Sequence, residues 1–207
     1  MSLNVLTSLA ARDGDLDRAA ELCAESVAVA RAVGDERLEA LALGLLAEGY
    51  LHSGRYDDVR EVGGRALALA RTTADSEVIS LALARLGVAA ALDHRPREAT
   101  AHLVEAMEHA RGLGFPETAA WCCEGLALVA AEQGDAVRAA RLLGAGESLR
   151  RVGGGVLQPA EAAARATALT TMQRQLSATD IEGALREGRA LSLAEAVHEA
   201  VGDERAV

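Results

Sequence analysis

The sequence predicts an all-α chain, a solenoid of about four helix–turn–helix repeats closed by a helical cap. Three observations carry this. The turn Gly134-Asp135-Ala136-Val137-Arg138-Ala139 has counterparts at 40-residue steps: His94-Arg95-Pro96-Arg97-Glu98-Ala99, Gly54-Arg55-Tyr56-Asp57-Asp58-Val59 and Gly14-Asp15-Leu16-Asp17-Arg18-Ala19. The other turn of each repeat keeps the same phase, in the tetrads Arg31 to Gly34, Arg71 to Ala74, Arg111 to Gly114 and Arg151 to Gly154. No run alternates with period two between turn signals, so no sheet is expected. A fixed period of this size marks an array whose units bury one another's apolar faces.

The repeats divide as 1–34, 35–74, 75–114 and 115–154, and 155–207 holds capping helices and a disordered tail. Repeat 1 opens with a helix from Leu3 to Arg12, turns at Asp13-Gly14 and continues from Asp15 to Val33. Gly34 ends that helix as a left-handed terminator. Repeat 2 places helices over Glu36–Ser53 and Arg55–Thr72, repeat 3 over Asp75–Asp93 and Arg95–Arg111. Pro96 fits the first turn of its helix, where its missing N–H costs nothing. Repeat 4 covers Pro116–Gln133 and Asp135–Arg151. The first helix of repeat 1 is shorter than its copies, so the chain is expected to be a piece of a longer protein.

The triplet Gly153-Gly154-Gly155 breaks the pattern. Pro159 to Leu176 reads as a helix with Ala163, Ala166, Leu169, Met172 and Leu176 on its buried stripe. Asp180 is expected to cap a short helix through Arg186. Ser192-Leu193-Ala194-Glu195 is a capping box that opens a last helix to Val201.

Composition excludes several functions. Half of the 207 residues are hydrophobic but 2% are aromatic, so Ala, Leu and Val build the core through close helix contacts. The net charge is −10, and all 21 basic residues are arginine. Without lysine there is no P-loop lysine and no Schiff-base chemistry. An acidic chain without a basic block is not expected to contact nucleic acid, whose binding rests on phosphate neutralisation. Cys23, Cys122 and Cys123 form neither a disulfide framework nor a metal-ligand spacing, so a cytoplasmic setting is expected. No apolar run has the length of a membrane span.

At the turns and their flanks the repeats resemble the tetratricopeptide family. The paired residues are Leu46-Ala47 with Tyr50, Leu86-Gly87 with Ala90, and Leu126-Ala127 with Ala130. The small residues after each turn are Ala19, Val59, Ala99 and Ala139, followed by Cys23 and Ser26, Gly63 and Ala66, Leu103 and Ala106, Leu143 and Gly146. Together with the turn residues Gly14, Gly54 and Gly134 and the helix residue Gly87, these are the structural positions. The resemblance implies a right-handed α-α superhelix. The chain departs from it in period, 40 residues against about 34 in the family, and His94 replaces a turn glycine. HEAT-type arrays have periods nearer 40 but lack this arrangement of turn glycine and small residue.

A narrower resemblance lies in Ala139-Ala140-Arg141-Leu142-Leu143-Gly144-Ala145-Gly146-Glu147 and in Glu187 to Val197. Both look like the C-terminal region of large bacterial signalling ATPases, the MalT and LuxR-like transcriptional regulators. Neither ATPase motifs nor a helix-turn-helix occurs in this sequence.

Local clusters admit bland readings. His102, Glu105 and His109 share a helix face, which suits either half of a metal site or a solvated ion-paired face. Adjacent Cys122 and Cys123 point about 100° apart on a helix and read as small core residues rather than a redox pair. Gly144-Ala145-Gly146 is a close-packed helix, with neither the strand nor the lysine of a nucleotide loop. No catalytic constellation can be assembled, and no cofactor is expected.

The tetratricopeptide resemblance implies a concave groove lined by the first helix of each repeat. It carries the groove positions onto Gly44, Glu48, Leu51 and His52; Ala84, Val88, Ala91 and Leu92; and Trp121, Glu124, Leu128, Ala131 and Glu132. The candidate binding residues are Glu48, His52, Val88, Trp121, Glu124, Leu128 and Glu132, with Trp121 an aromatic anchor. The alternative is that this stripe belongs to the hairpin core. The expected function is non-catalytic binding of a protein, peptide or small effector, in a cytoplasmic bacterial transcriptional regulator. The alternatives are a free-standing scaffold unrelated to transcription and an enzyme of unknown class. A homodimer through the N-terminal end is also expected, because the short first repeat exposes apolar surface.

Overall fold

The computed structural model describes residues 2–201. Among them every regular element is an α-helix: α1 (Leu3–Arg12), α2 (Leu16–Val33), α3 (Glu36–His52), α4 (Tyr56–Thr72), α5 (Ser76–Leu92), α6 (Pro96–Leu113), α7 (Pro116–Glu132), α8 (Ala136–Gly153), α9 (Pro159–Met172), α10 (Ala178–Arg189) and α11 (Leu193–Val201). The sequence repeat becomes geometry at the turns. Gly14, Gly34, Gly54, Ala74, His94, Gly114, Gly134 and Gly154 all have positive φ, 20 residues apart throughout. At each, the next residue donates its N–H to a carbonyl five positions back, as in Asp35 to Ala30 and Asp135 to Ala130. That bond is the C-terminal signature of a helix ended by a left-handed residue. The 40-residue repeat is therefore two 20-residue helix–turn units.

Asp15, Asp35, Asp75 and Asp135 directly follow left-handed residues, and each carboxylate accepts a backbone N–H of the new helix. Such caps contribute about 1 kcal/mol each. Pro96 and Pro116 occupy first-turn positions of α6 and α7.

The helices form two layers. α1, α3, α5 and α7 pack side by side as the inner layer, while α2, α4, α6 and α8 back them from outside. Ala19, Val59, Ala99 and Ala139 are all fully buried at the hairpin contacts. Gly87 shows why small residues are needed: a Cβ there would stand 2.5 Å from Leu103 Cγ. From the other side, Gly125 leaves room for the same leucine, whose Cδ1 would be 2.7 Å from an added Cβ.

The cap departs from expectation in both α9 and α10. α9 ends at Met172, and its buried residues are Ala160, Glu161, Ala164, Ala168 and Met172. Ala163 and Ala166 are exposed, because α9 packs against α7, α5 and α8 along a face rotated from the expected stripe. Ser177, not Asp180, caps α10, which runs on to Arg189; its hydroxyl accepts the Asp180 N–H. The Ser192–Glu195 capping box is present in both directions. The tail beyond Val201 lies outside the described residues.

Candidate functional site

The inner layer leaves an open face along α1, α3, α5 and the first half of α7. Two clefts sit on it. One, of about 340 Å³, is lined by Ser8, Glu48, Leu81, Glu117, Thr118, Trp121, Val156 and Gln158. The other, of about 260 Å³, is lined by residues that include Asn4, Leu41, Leu45, Leu81 and Arg85. Leu81 is common to both, so the clefts form one track across the repeats. Helix α9 continues the inner layer past α7 and reaches α5 and α3. The segment 155–158 leads the chain from the outer layer to that position and forms one wall of the larger cleft.

Glu48, Arg85, His52 and Trp121 make a half-buried polar cluster between three repeats. Arg85 is 7% exposed and donates Nε to Glu48 Oε2 at 3.2 Å, with Nη2 on the same oxygen. Its guanidinium carbon lies 5.8 Å from the Trp121 ring centre, within the range of a cation–π contact. His52 Nε2 stands 3.8 Å from Glu48 Oε1. Burial alone would raise the Glu48 carboxyl, but the charge and hydrogen bonds of Arg85 together with the neighbouring His52 outweigh it and hold the group at about 2. The Trp121 Nε1–H and both His52 ring nitrogens have no hydrogen-bond partner among the described residues.

Three of the seven candidate binding residues therefore reach the open face or its rim. Glu48, His52 and Trp121 belong to the cluster, whereas Glu132, at the far end of α7, accepts from His94 Nδ1 at 2.9 Å. The other three do not face a groove. Val88 is 2% exposed and Leu128 1%, both inside the packed layer. Glu124 is fully buried, because α9 covers the part of α7 that an open array would leave free. Its Oε1 accepts Arg150 Nη2 at 3.1 Å and lies 3.6 Å from Arg165 Nη1. Arg150 also reaches Glu161 at 3.4 Å, so two buried carboxylates share one guanidinium. Burial raises the Glu124 carboxyl, only partly opposed by Arg165 and Arg150. It also raises Glu161 to about 7, with Glu124 and Glu48 adding to the push.

The open positions missed from the sequence are Leu41, Leu45, Leu81, Arg85 and Glu117. A signal existed: Leu41, Leu81 and Trp121 are 40 residues apart. Trp121 thus marked the open row, which lies about one turn N-terminal to most of the carried-over positions.

Elsewhere the candidate clusters are structural. Glu105 is held by Arg71 of α4 at 2.7 Å, and His102 lies 3.8 Å from Glu98. Cys122 and Cys123 are both buried, since α8 covers one side of α7 and α9 the other; burial pushes both thiols up. Among the described residues no three His, Cys, Asp or Glu side chains gather as metal ligands, and no helix is long and apolar enough to cross a membrane. The open track offers an indole wall, leucine side chains, a carboxylate and hydroxyls, which is the equipment of a binding surface.

Comparison with curated proteins and with solved structures gives no match. The tetratricopeptide repeat family model matches residues 2–72. That span covers α1 to α4, and α5 to α8 repeat its turn geometry at the same interval. Residues 2–72 are a tetratricopeptide-like repeat region, and they open an all-helical solenoid.

Proposed function

We propose that the chain is a non-catalytic docking module that holds a peptide or protein segment along the open face of α3, α5 and α7. The observation that carries this reading is the continuous track from Leu41 and Leu45 through Leu81 to Trp121. It crosses three repeats and is rimmed by polar groups. Tetratricopeptide-like repeats over 2–72 support the same kind of function. Interfaces use such central apolar and aromatic anchors inside a polar rim. The test is selection of peptides from a displayed library on the whole chain, followed by rebinding to Leu81→Glu and to Glu61→Arg on the outer helix α4. Selected peptides are expected to lose Leu81→Glu and keep Glu61→Arg. Peptides indifferent to both changes overturn the docking face.

The wider setting we infer is the sensor or interaction part of a cytoplasmic bacterial transcriptional regulator. Its support is the resemblance of Ala139–Glu147 and Glu187–Val197 to the C-terminal region of signalling ATPases. A parent reading frame without an ATPase module would remove that setting and leave the docking face standing. A small effector remains an alternative occupant of the larger cleft, whose volume suits one.

A further inference from the structure

The reading of the open face as a docking track is the basis for naming what fits its larger cleft. The charges around that cleft do not cancel. Glu48 is matched by Arg85, which gives it both Nε and Nη2. Glu117, one turn before Trp121 on the same face of α7, makes no hydrogen bond or ion pair among the described residues. The glycine triplet runs close beside it. A Cβ on Gly155 would lie 2.8 Å from Glu117 Oε1, and one on Gly153 3.4 Å from Glu117 Cβ. The glycine triplet thus lets the chain pass flush against Glu117 at the cleft's rim. Thr118 lines the same cleft although it is only 4% exposed, and its hydroxyl has no hydrogen-bond partner among the described residues. Trp121 and Leu81 supply apolar wall between these polar groups.

A carboxylate without a cation, an unpartnered hydroxyl and an indole wall together describe a seat for a basic side chain. Its methylenes would lie on Trp121 and Leu81 while its charged end meets Glu117. A net charge of −10 also draws cationic partners and repels anionic ones before contact. We propose that the cleft at Trp121 takes the guanidinium or ammonium side chain of a basic residue in the docked peptide. Leu41 and Leu45 hold its apolar neighbours. An anionic peptide meets uncompensated negative charge at Glu117 and is rejected.

Trp121 is the only tryptophan, so its fluorescence reports on this cleft directly. The probe is acetyl-Leu-Ala-Xaa-Ala-Leu-amide, with Xaa as arginine, lysine, norleucine or glutamate, titrated onto the whole chain at low and high salt. Saturable change with the arginine and lysine peptides is expected, weakened by salt, with norleucine up to about fivefold weaker and glutamate inert. Fivefold is the upper scale of one accessible charge pair. Glu117→Gln, at an exposed site, should remove that advantage, and Glu25→Gln on α2 should not. Equal response to all four peptides, an unchanged preference in Glu117→Gln, or no saturable response overturns the basic seat. The docking reading fails separately, if library peptides ignore Leu81→Glu. Library peptides that need Leu81 but contain no basic residue would keep the track and remove the seat.

Discussion

Gly144 of α8 and Gly188 of α10 stand at the crossing of the two helices, each pressed on the other helix's backbone. A Cβ on Gly144 would lie 2.9 Å from the Leu185 carbonyl carbon, and one on Gly188 2.7 Å from that of Arg141. Neither contact can be relieved by turning a side chain. This crossing fixes α10 on the last hairpin and so closes the C-terminal end of the array.

Gly188→Ala should gain about 1 kcal/mol of helix propensity and lose more than that to overpacking of a backbone contact. The expected result is a lower melting temperature and faster tryptic cleavage at Arg186 and Arg189. Gly183→Ala is the control within the same helix, because an added Cβ there meets nothing within 4 Å. It should stabilise by about 1 kcal/mol. If both substitutions have the same sign, the crossing is not what holds α10.

Ala74 and His94 hold turn positions that glycine holds in the other six, with φ of 51° and 54°. A left-handed conformation costs a non-glycine residue about 1–2 kcal/mol, partly offset by the greater unfolded-state freedom of glycine. Ala74→Gly should therefore stabilise by about 0.5–1 kcal/mol. His94→Gly should gain less, since it also gives up the contact with Glu132. Denaturant midpoints would measure both, and a destabilised Ala74→Gly would contradict the turn geometry.

The turns and helices were legible because each residue type there has a local cause. Glycine permits positive φ, aspartate caps, proline opens a helix, and alanine allows close approach. The open face was half legible. Trp121 and Glu48 could be placed by the repeat, but Glu124 could not, because its burial depends on where α9 lands. That is a contact between segments 37 residues apart, from Glu124 to Glu161, with no periodic trace. Arg85 was hidden for a similar reason. An arginine inside an Ala/Leu-rich helix gives no sign in sequence that Glu48, one repeat earlier, will pair with it. The rotated stripe of α9 belongs to the same class, since its small residues suit either face.

At the other end of the array Val5 is 52% exposed, Leu9 49%, Val29 48% and Val33 69%. Apolar groups clustered on the first hairpin tend to find partners. A second copy of the chain is expected to meet this end, giving a dimer in sedimentation at high concentration. Val5→Ser with Leu9→Ser should shift it to monomer without a large loss of stability, both side chains being about half exposed. A concentration-independent monomer in the unsubstituted chain would dispose of the dimer.

The last prediction concerns pH, and it follows from two glutamates shifted in opposite directions. Glu48 is held at about 2 against an ordinary value of 4.5, so its contribution is complete above about pH 4.5 and is lost as pH falls toward 2. Glu161 is raised to about 7. The folded chain therefore keeps a proton there that the unfolded chain releases at 4.5, and stability falls as pH rises from about 4.5 to 7. At about 1.4 kcal/mol per pH unit, each arm is worth on the order of 3 kcal/mol. Glu161 faces Arg150 from α8, Glu124 from α7 and Glu48 from α3, and accepts the Gln158 N–H, so its ionisation bears on how α9 docks. Hydrogen exchange corrected for intrinsic rates should show α9 better protected at pH 5 than at pH 7.5. Glu161→Gln mimics the protonated form and should flatten the fall in melting temperature over that range. The difference between the two profiles isolates Glu161. Glu124→Gln should narrow the same window from above, because it removes the carboxylate that helps raise Glu161. Identical slopes in the unsubstituted chain and in Glu161→Gln would mean that the buried pair around Arg150 does not control α9.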